Sequence, residues 1–80
     1  MKMARNGLDY NRVLVVPTRK SGNAVQRNRA RRVGKEVYRT LKPHIQPGFD
    51  LAFILYPGNF SFQERLDQFS HVLRRAELMA

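Results

Sequence analysis

Apolar residues recur along this chain in two rhythms. From Arg12 to Val16 the run RVLVV is short, β-branched and apolar on both faces, the pattern of a strand covered on two sides or central in its sheet. Phe49 to Tyr56, FDLAFILY, is a second such run, too short for a well-formed helix. Elsewhere the period lengthens. Within Arg19 to Leu41, Gln26, Ala30, Val33, Val37 and Leu41 fall on one side of a helix, while Arg27, Arg31, Lys35 and Arg39 recur every fourth residue on the other. In the C-terminal segment Phe62, Leu66, Phe69, Leu73 and Ala76 form another helical apolar stripe, with Arg65, Asp67, Gln68, Arg74 and Arg75 around it. The predicted order is strand, helix, strand, helix. Two strands joined by a long crossover pair in parallel, giving an α+β fold (an α/β sandwich) in which helices pack on a small sheet.

Turn and cap residues set the boundaries. Met1 to Asn11 carries Arg5, Asn6, Gly7 and Asp9 with little apolar content and reads as a loose lead-in. Pro17 ends the first strand or leaves that side of it unpaired. Ser21, Gly22 and Asn23 make the turn into the basic helix, with Asn23 or Ser21 as its N-cap. Gly34 costs that helix about 1 kcal/mol against Ala, and its place beside the apolar stripe suggests close approach of a neighbouring backbone. Pro43 opens the breaker-rich exit PHIQPG, and Pro57, Gly58 and Asn59 stop the second strand. Ser61 with Glu64 three residues on makes a capping box for the last helix, and Arg74 and Arg75 complement its dipole. Two strands alone would leave both sheet edges open.

Composition narrows the choices. Eighty residues make one domain, residues 1–80, with a small core, and with no cysteine there is neither a disulfide nor a thiolate metal site to support it. No apolar run approaches the roughly 20 residues of a membrane span, and the N-terminus has no apolar segment of a secretory signal. The expectation is a soluble, cytoplasmic protein. A net charge of +9 and a pI near 11.2 call for a polyanionic partner, nucleic acid first and an acidic membrane surface second.

The basic helix face sharpens that expectation because it destabilises its own helix. Arg27/Arg31, Arg31/Lys35 and Lys35/Arg39 are like-charge neighbours, together unfavourable by about 1 kcal/mol. Glu36 is the only acid in the stretch and is placed to relieve Arg32. No autonomous active site is visible. His44 and His71 are expected in solvent, the six acids are scattered singly, and there is neither a zinc constellation nor a phosphate-binding Gly-rich loop. Five or six neutralised phosphates would make log K fall against log salt with a slope of roughly 4 to 5. Asn28 adds a donor and acceptor for a base or ribose edge, and Tyr10 and Tyr56 are candidates for stacking on bases or for the rim of the core.

The run Lys20, Gly22, Asn23, Ala24, Val25, Arg27, Asn28, Arg29, Arg31, Arg32, Lys35, Glu36 resembles the signature of the protein subunit of bacterial ribonuclease P, and RVLVVPTRK, GFDLAFILYP and the ending LRRAELM extend the likeness over residues 12–79. The resemblance implies a small basic α/β sandwich that binds the catalytic RNA of ribonuclease P. That holoenzyme removes the 5′ leader of precursor tRNA, with hydrolysis carried by the RNA and its magnesium ions (Mg2+) and none held at a protein site. By matching positions, Arg27, Asn28, Arg29, Arg31, Arg32 and Lys35 would contact the RNA, Arg19 and Lys20 would extend the patch, and Asn23 and Arg39 would complete it. Family members start earlier, with a further helix and strand whose aromatics help form the leader cleft, so the expectation is an N-terminally short version or a fragment. Gly34 stands where a large aliphatic is usual, Lys35 where Arg is common, and Tyr56 where the strand often ends in Arg. The alternative is a structural, ribosome-associated RNA binder with no catalytic partner.

Overall fold

Alternation of large apolar side chains places one strand at the centre of the molecule. In the computed structural model, which describes residues 1–80 apart from 21, 57 and 59, Phe49, Leu51, Phe53 and Leu55 of that strand are all buried. The elements are β1 (Lys2–Arg5), β2 (Arg12–Pro17), α1 (Ala24–Leu41), a 3₁₀ turn (Lys42–His44), β3 (Phe49–Leu55) and α2 (Phe62–Arg75). β3 lies between β1, antiparallel to it, and β2, parallel to it. The α+β class and the parallel pairing are as the sequence predicts, and the sheet has three strands rather than two.

The third strand comes from the segment expected to be a loose lead-in. Lys2 to Arg5 carries one large apolar residue, Met3, so no alternation announces it. What holds it is the ladder to β3, Lys2 opposite Ala52 and Arg5 opposite Phe49, together with the Asn6 N–H donating to the Gly48 carbonyl at 3.0 Å. Asp50 ties the three strands together. Its carboxylate accepts both Arg12 Nε and Nη2 at 2.7 Å and the Asn6 amide at 3.1 Å. Arg12, followed by Asn6, holds the Asp50 carboxyl below the usual carboxylate range. The tie is therefore complete above that range and is lost as acid protonates Asp50.

β2 is also not the central strand its two-sided apolar run suggests. Val13, Val15 and Pro17 face the helices, and Leu14, paired with Ala52 on the other face, is 61% exposed. Both helices pack on one side of the sheet. Val37, Tyr38 and Leu41 of α1 and Phe69 and Leu73 of α2 meet Val15, Leu51, Phe53 and Leu55 there. The Phe53 and Phe69 rings stack with centroids 4.2 Å apart, and Tyr38 tilts against Phe53 at 6.3 Å.

Gly34 is buried at this contact, facing side chains and not the backbone expected from the sequence. A Cβ there would lie 2.6 Å from Val15 Cγ1 and 3.3 Å from Leu55 Cδ1. Val15 is buried and β-branched, so it has little freedom to move away. Gly34→Ala gains about 1 kcal/mol of helix propensity against an overpacking cost of about 1 to 3 kcal/mol. We expect net destabilisation of about 1 kcal/mol in denaturant melts; a gain would show that β2 yields.

Both helix starts are as predicted. Asn23 caps α1, accepting from Gln26 N–H, and Gln26 Oε1 returns the bond to Asn23 N–H at 3.0 Å. Gln26, expected in the apolar stripe, is thus an exposed half of a capping box. Ser21, the other candidate cap, lies outside the described residues, as do Pro57 and Asn59. Ser61 and Glu64 form the second box. α2 ends in a Schellman motif, Leu78 N–H donating to the Leu73 carbonyl and Glu77 N–H to that of Arg74, both at 3.0 Å. This puts Glu77 at φ 60, the left-handed region that glycine occupies without a Cβ penalty. Glu77→Gly is expected to stabilise the protein by about 1 kcal/mol, raising the melting midpoint by roughly 4 to 8 °C.

Candidate nucleic-acid interface

An 18-residue helix with six cations and a single acid sets the electrostatics of one side of this molecule. Its apolar face is used up: Val37, Tyr38 and Leu41 are in the core, which leaves that side nothing to insert into a membrane surface. The opposite side carries Asn28, Arg29, Arg31, Arg32, Lys35 and Arg39, all exposed. Arg19 and Lys20 are exposed in the turn that leaves β2.

These cations are not neutralised from within. Among the described residues the side chains of Arg19, Lys20, Arg29, Arg32 and Lys35 make no hydrogen bond or ion pair. Arg39 pairs with Glu36 at 3.3 Å, both side chains largely in solvent. That pairing corrects the expectation that Glu36 would relieve Arg32, and an exposed i,i+3 pair contributes only a few tenths of a kcal/mol. Arg31 Nη1 donates to Asn28 Oδ1 at 3.1 Å, orienting the amide that the sequence offers to a base or ribose edge.

Two predicted site residues have a local task as well. Asn23 spends its side-chain oxygen on the α1 cap. Arg27 is half-buried and donates to the Gly22 carbonyl at 2.7 Å, bracing the turn that carries Arg19 and Lys20 toward the helix. Its position follows from helix geometry. It precedes buried Gly34 by seven residues, almost two full turns, so it sits at the edge of the core-facing side and not opposite it.

Arg65 is the side chain the sequence misplaces. Expected on the polar flank of α2, it is only 6% exposed, with its guanidinium 4.6 Å over the Phe60 ring. It donates to Gln68 Oε1 at 3.0 Å and to the Tyr56 carbonyl at 3.2 Å. Burial pushes its pKa down from the ordinary arginine value. The signal was present: Arg65, Phe69 and Leu73 are spaced by four and share one face. Phe62, expected in the core, is instead 42% exposed.

The molecule offers acids in no useful grouping. Among the described residues no three of His, Cys, Asp and Glu stand close enough to hold a metal ion, and Asp50 is already engaged by Arg12 and Asn6. His44 and His71 are exposed. What the surface can do is neutralise a row of phosphates.

A sequence model of the family described as Ribonuclease P matches residues 1–77, reaching through β1. The ribonuclease P protein component of Petrotoga mobilis is 49% identical over 49 residues, covering 61% of this chain and 42% of that protein. That of Clostridioides difficile is 45% identical over 51 residues. In both cases the match spans less than half of the relative's length. The Alkaliphilus metalliredigens component is 31% identical over 80 residues, covering 98% of this chain and 72% of its own. Among solved structures, the RNase P protein of Thermotoga maritima superimposes with a TM-score of 0.76 at 30% identity, over 91% of this chain and 72% of that one. The Staphylococcus aureus RNase P protein gives 0.75 at 25% identity, over 98% and 73%. With the fold, the basic helix and a family match along nearly the whole sequence in agreement, the chain belongs to the ribonuclease P protein family.

Proposed function

We infer that this chain is the RNA-binding protein component of a ribonuclease P ribonucleoprotein of the cytoplasm, assisting a catalytic RNA in removing the 5′ leader of precursor tRNA. The observation that carries this reading is the outer face of α1, where Arg29, Arg32 and Lys35 stand exposed and, among the described residues, without a carboxylate partner. A helix that tolerates repulsion among its own cations gains when RNA phosphates replace small counterions along it. Arg19 and Lys20 extend the row, and Arg27 fixes the turn between them and the helix. In this reading the RNA holds the magnesium ions and carries hydrolysis. The protein's part is to bring RNA segments together against their mutual repulsion.

The test is reconstitution. The purified chain is added to a bacterial ribonuclease P RNA and a precursor tRNA at magnesium concentrations too low for the RNA alone. Stimulated release of the leader is expected. Tight RNA binding without stimulation would favour a structural RNA binder, and leader cleavage with no RNA subunit present would make the chain a nuclease.

A further inference from the structure

Tyr56 has an exposed ring on a fixed backbone. It follows the last residue of β3 and is 66% exposed, yet its carbonyl is held by the buried guanidinium of Arg65, itself packed over Phe60 and bonded to Gln68. An aromatic ring left in solvent gives up the burial that normally offsets its ordering. A backbone already pinned means that little further freedom is lost when something covers that ring.

The surroundings say what could cover it. β2 and β3 are parallel, with Pro17 opposite Leu55 and the Thr18 N–H donating to the Leu55 carbonyl at 3.0 Å. The chain therefore leaves β2 toward Arg19 and Lys20 at the end of the sheet where β3 delivers Tyr56. Both cations are exposed and unpaired among the described residues. A second protein with an apolar patch would have to bury those charges. A nucleotide matches both features, a flat base for the ring and a phosphate for the cations.

We propose that Tyr56 is a stacking site for an unpaired nucleobase of an RNA strand whose phosphates lie against Arg19 and Lys20. The proposal rests on the RNA-binding reading above and adds to it a contact that does not depend on charge. Tyr10, also exposed, precedes β2 at the opposite end of the sheet from Arg19 and Lys20, and takes no part.

The experiment compares the full chain with Tyr56→Leu, Tyr56→Phe and Tyr10→Leu. The probes are a fluorescent oligoadenylate of about twelve nucleotides and an abasic ribose-phosphate strand of the same length. Tyr56→Leu is expected to weaken oligoadenylate binding roughly 5- to 100-fold with an unchanged salt slope, because a stack and no charge has been removed. It should bind the abasic strand as the parent does, while Tyr56→Phe and Tyr10→Leu keep parental affinity for both. Equal affinity of Tyr56→Leu and the parent for oligoadenylate would overturn the stacking site while leaving the RNA-binding reading intact. A parent that binds neither these strands nor a ribonuclease P RNA would overturn both.

Discussion

Replacing Arg29, Arg32 and Lys35 together by Gln is expected to cut affinity for a ribonuclease P RNA by about two orders of magnitude at 0.15 M salt. Each phosphate contact contributes roughly 0.7 to 0.9 to the slope of log K against log salt, so three lost contacts flatten that slope by about 2 to 3. If parent and variant converge near 1 M salt, where counterion release no longer favours binding, that difference becomes about a hundredfold at physiological salt. The fold should survive, because these three side chains have no partner among the described residues. Stability should even rise slightly, since removing Lys35 relieves Arg31 and Arg39, each four residues away. Filter binding across a salt series together with a thermal melt checks both halves. A variant that loses cooperative melting would show that the row is structural.

The largest effect on folding is expected from Phe53→Ala. Phe53 is 2% exposed and lies between Tyr38 of α1 and Phe69 of α2, its ring nearly parallel to that of Phe69 with an interplanar angle of 2°. Truncating such a phenylalanine costs about 3 to 5 kcal/mol through lost transfer energy and the cavity left behind. A domain of 80 residues has little more than that in reserve. The midpoint should fall by roughly 15 to 30 °C, or the cooperative transition should vanish. Phe62→Ala, at an exposed position, should cost a small fraction of this. A loss below about 1 kcal/mol for Phe53→Ala would mean that α2 is not seated on β3.

What the sequence made legible was what local chemistry decides. The Ser61–Glu64 capping box follows from residue types at fixed spacing, and β3 from its run of apolar residues, so their positions needed no knowledge of the tertiary fold. The α1 cap, in contrast, is narrowed only to Asn23 or Ser21, and its Gln26 half reads as part of the apolar stripe. β1 was invisible because four residues with one large apolar side chain carry no period; its pairing is set by the backbone ladder and by Asp50. The edge position of β2 was hidden for the opposite reason. RVLVV is apolar on both faces, yet only the Val13, Val15 side meets the helices.

The basic face was legible in composition and less so in direction. Residues spaced by four overshoot a turn by about 40° at each step. The row Arg27, Arg31, Lys35, Arg39 therefore slants around α1, from the core margin at Arg27 to open solvent at Arg39. Arg29 and Arg32, outside that row, complete the outward face. Arg65 escapes a reading by residue type because its charge points to solvent, whereas its four-residue spacing from Phe69 and Leu73 puts it on the buried face, and its burial is what fixes the carbonyl of Tyr56.

The most direct measurement is arginine modification by phenylglyoxal, read residue by residue by mass spectrometry, with and without a ribonuclease P RNA. Arg29, Arg31 and Arg32 should react readily in the free protein and be protected in the complex, while Arg74 and Arg75 at the end of α2 stay reactive in both. RNA binding that leaves Arg29, Arg31 and Arg32 as reactive as before, with protection elsewhere, would contradict the assignment of α1 as the RNA-facing surface.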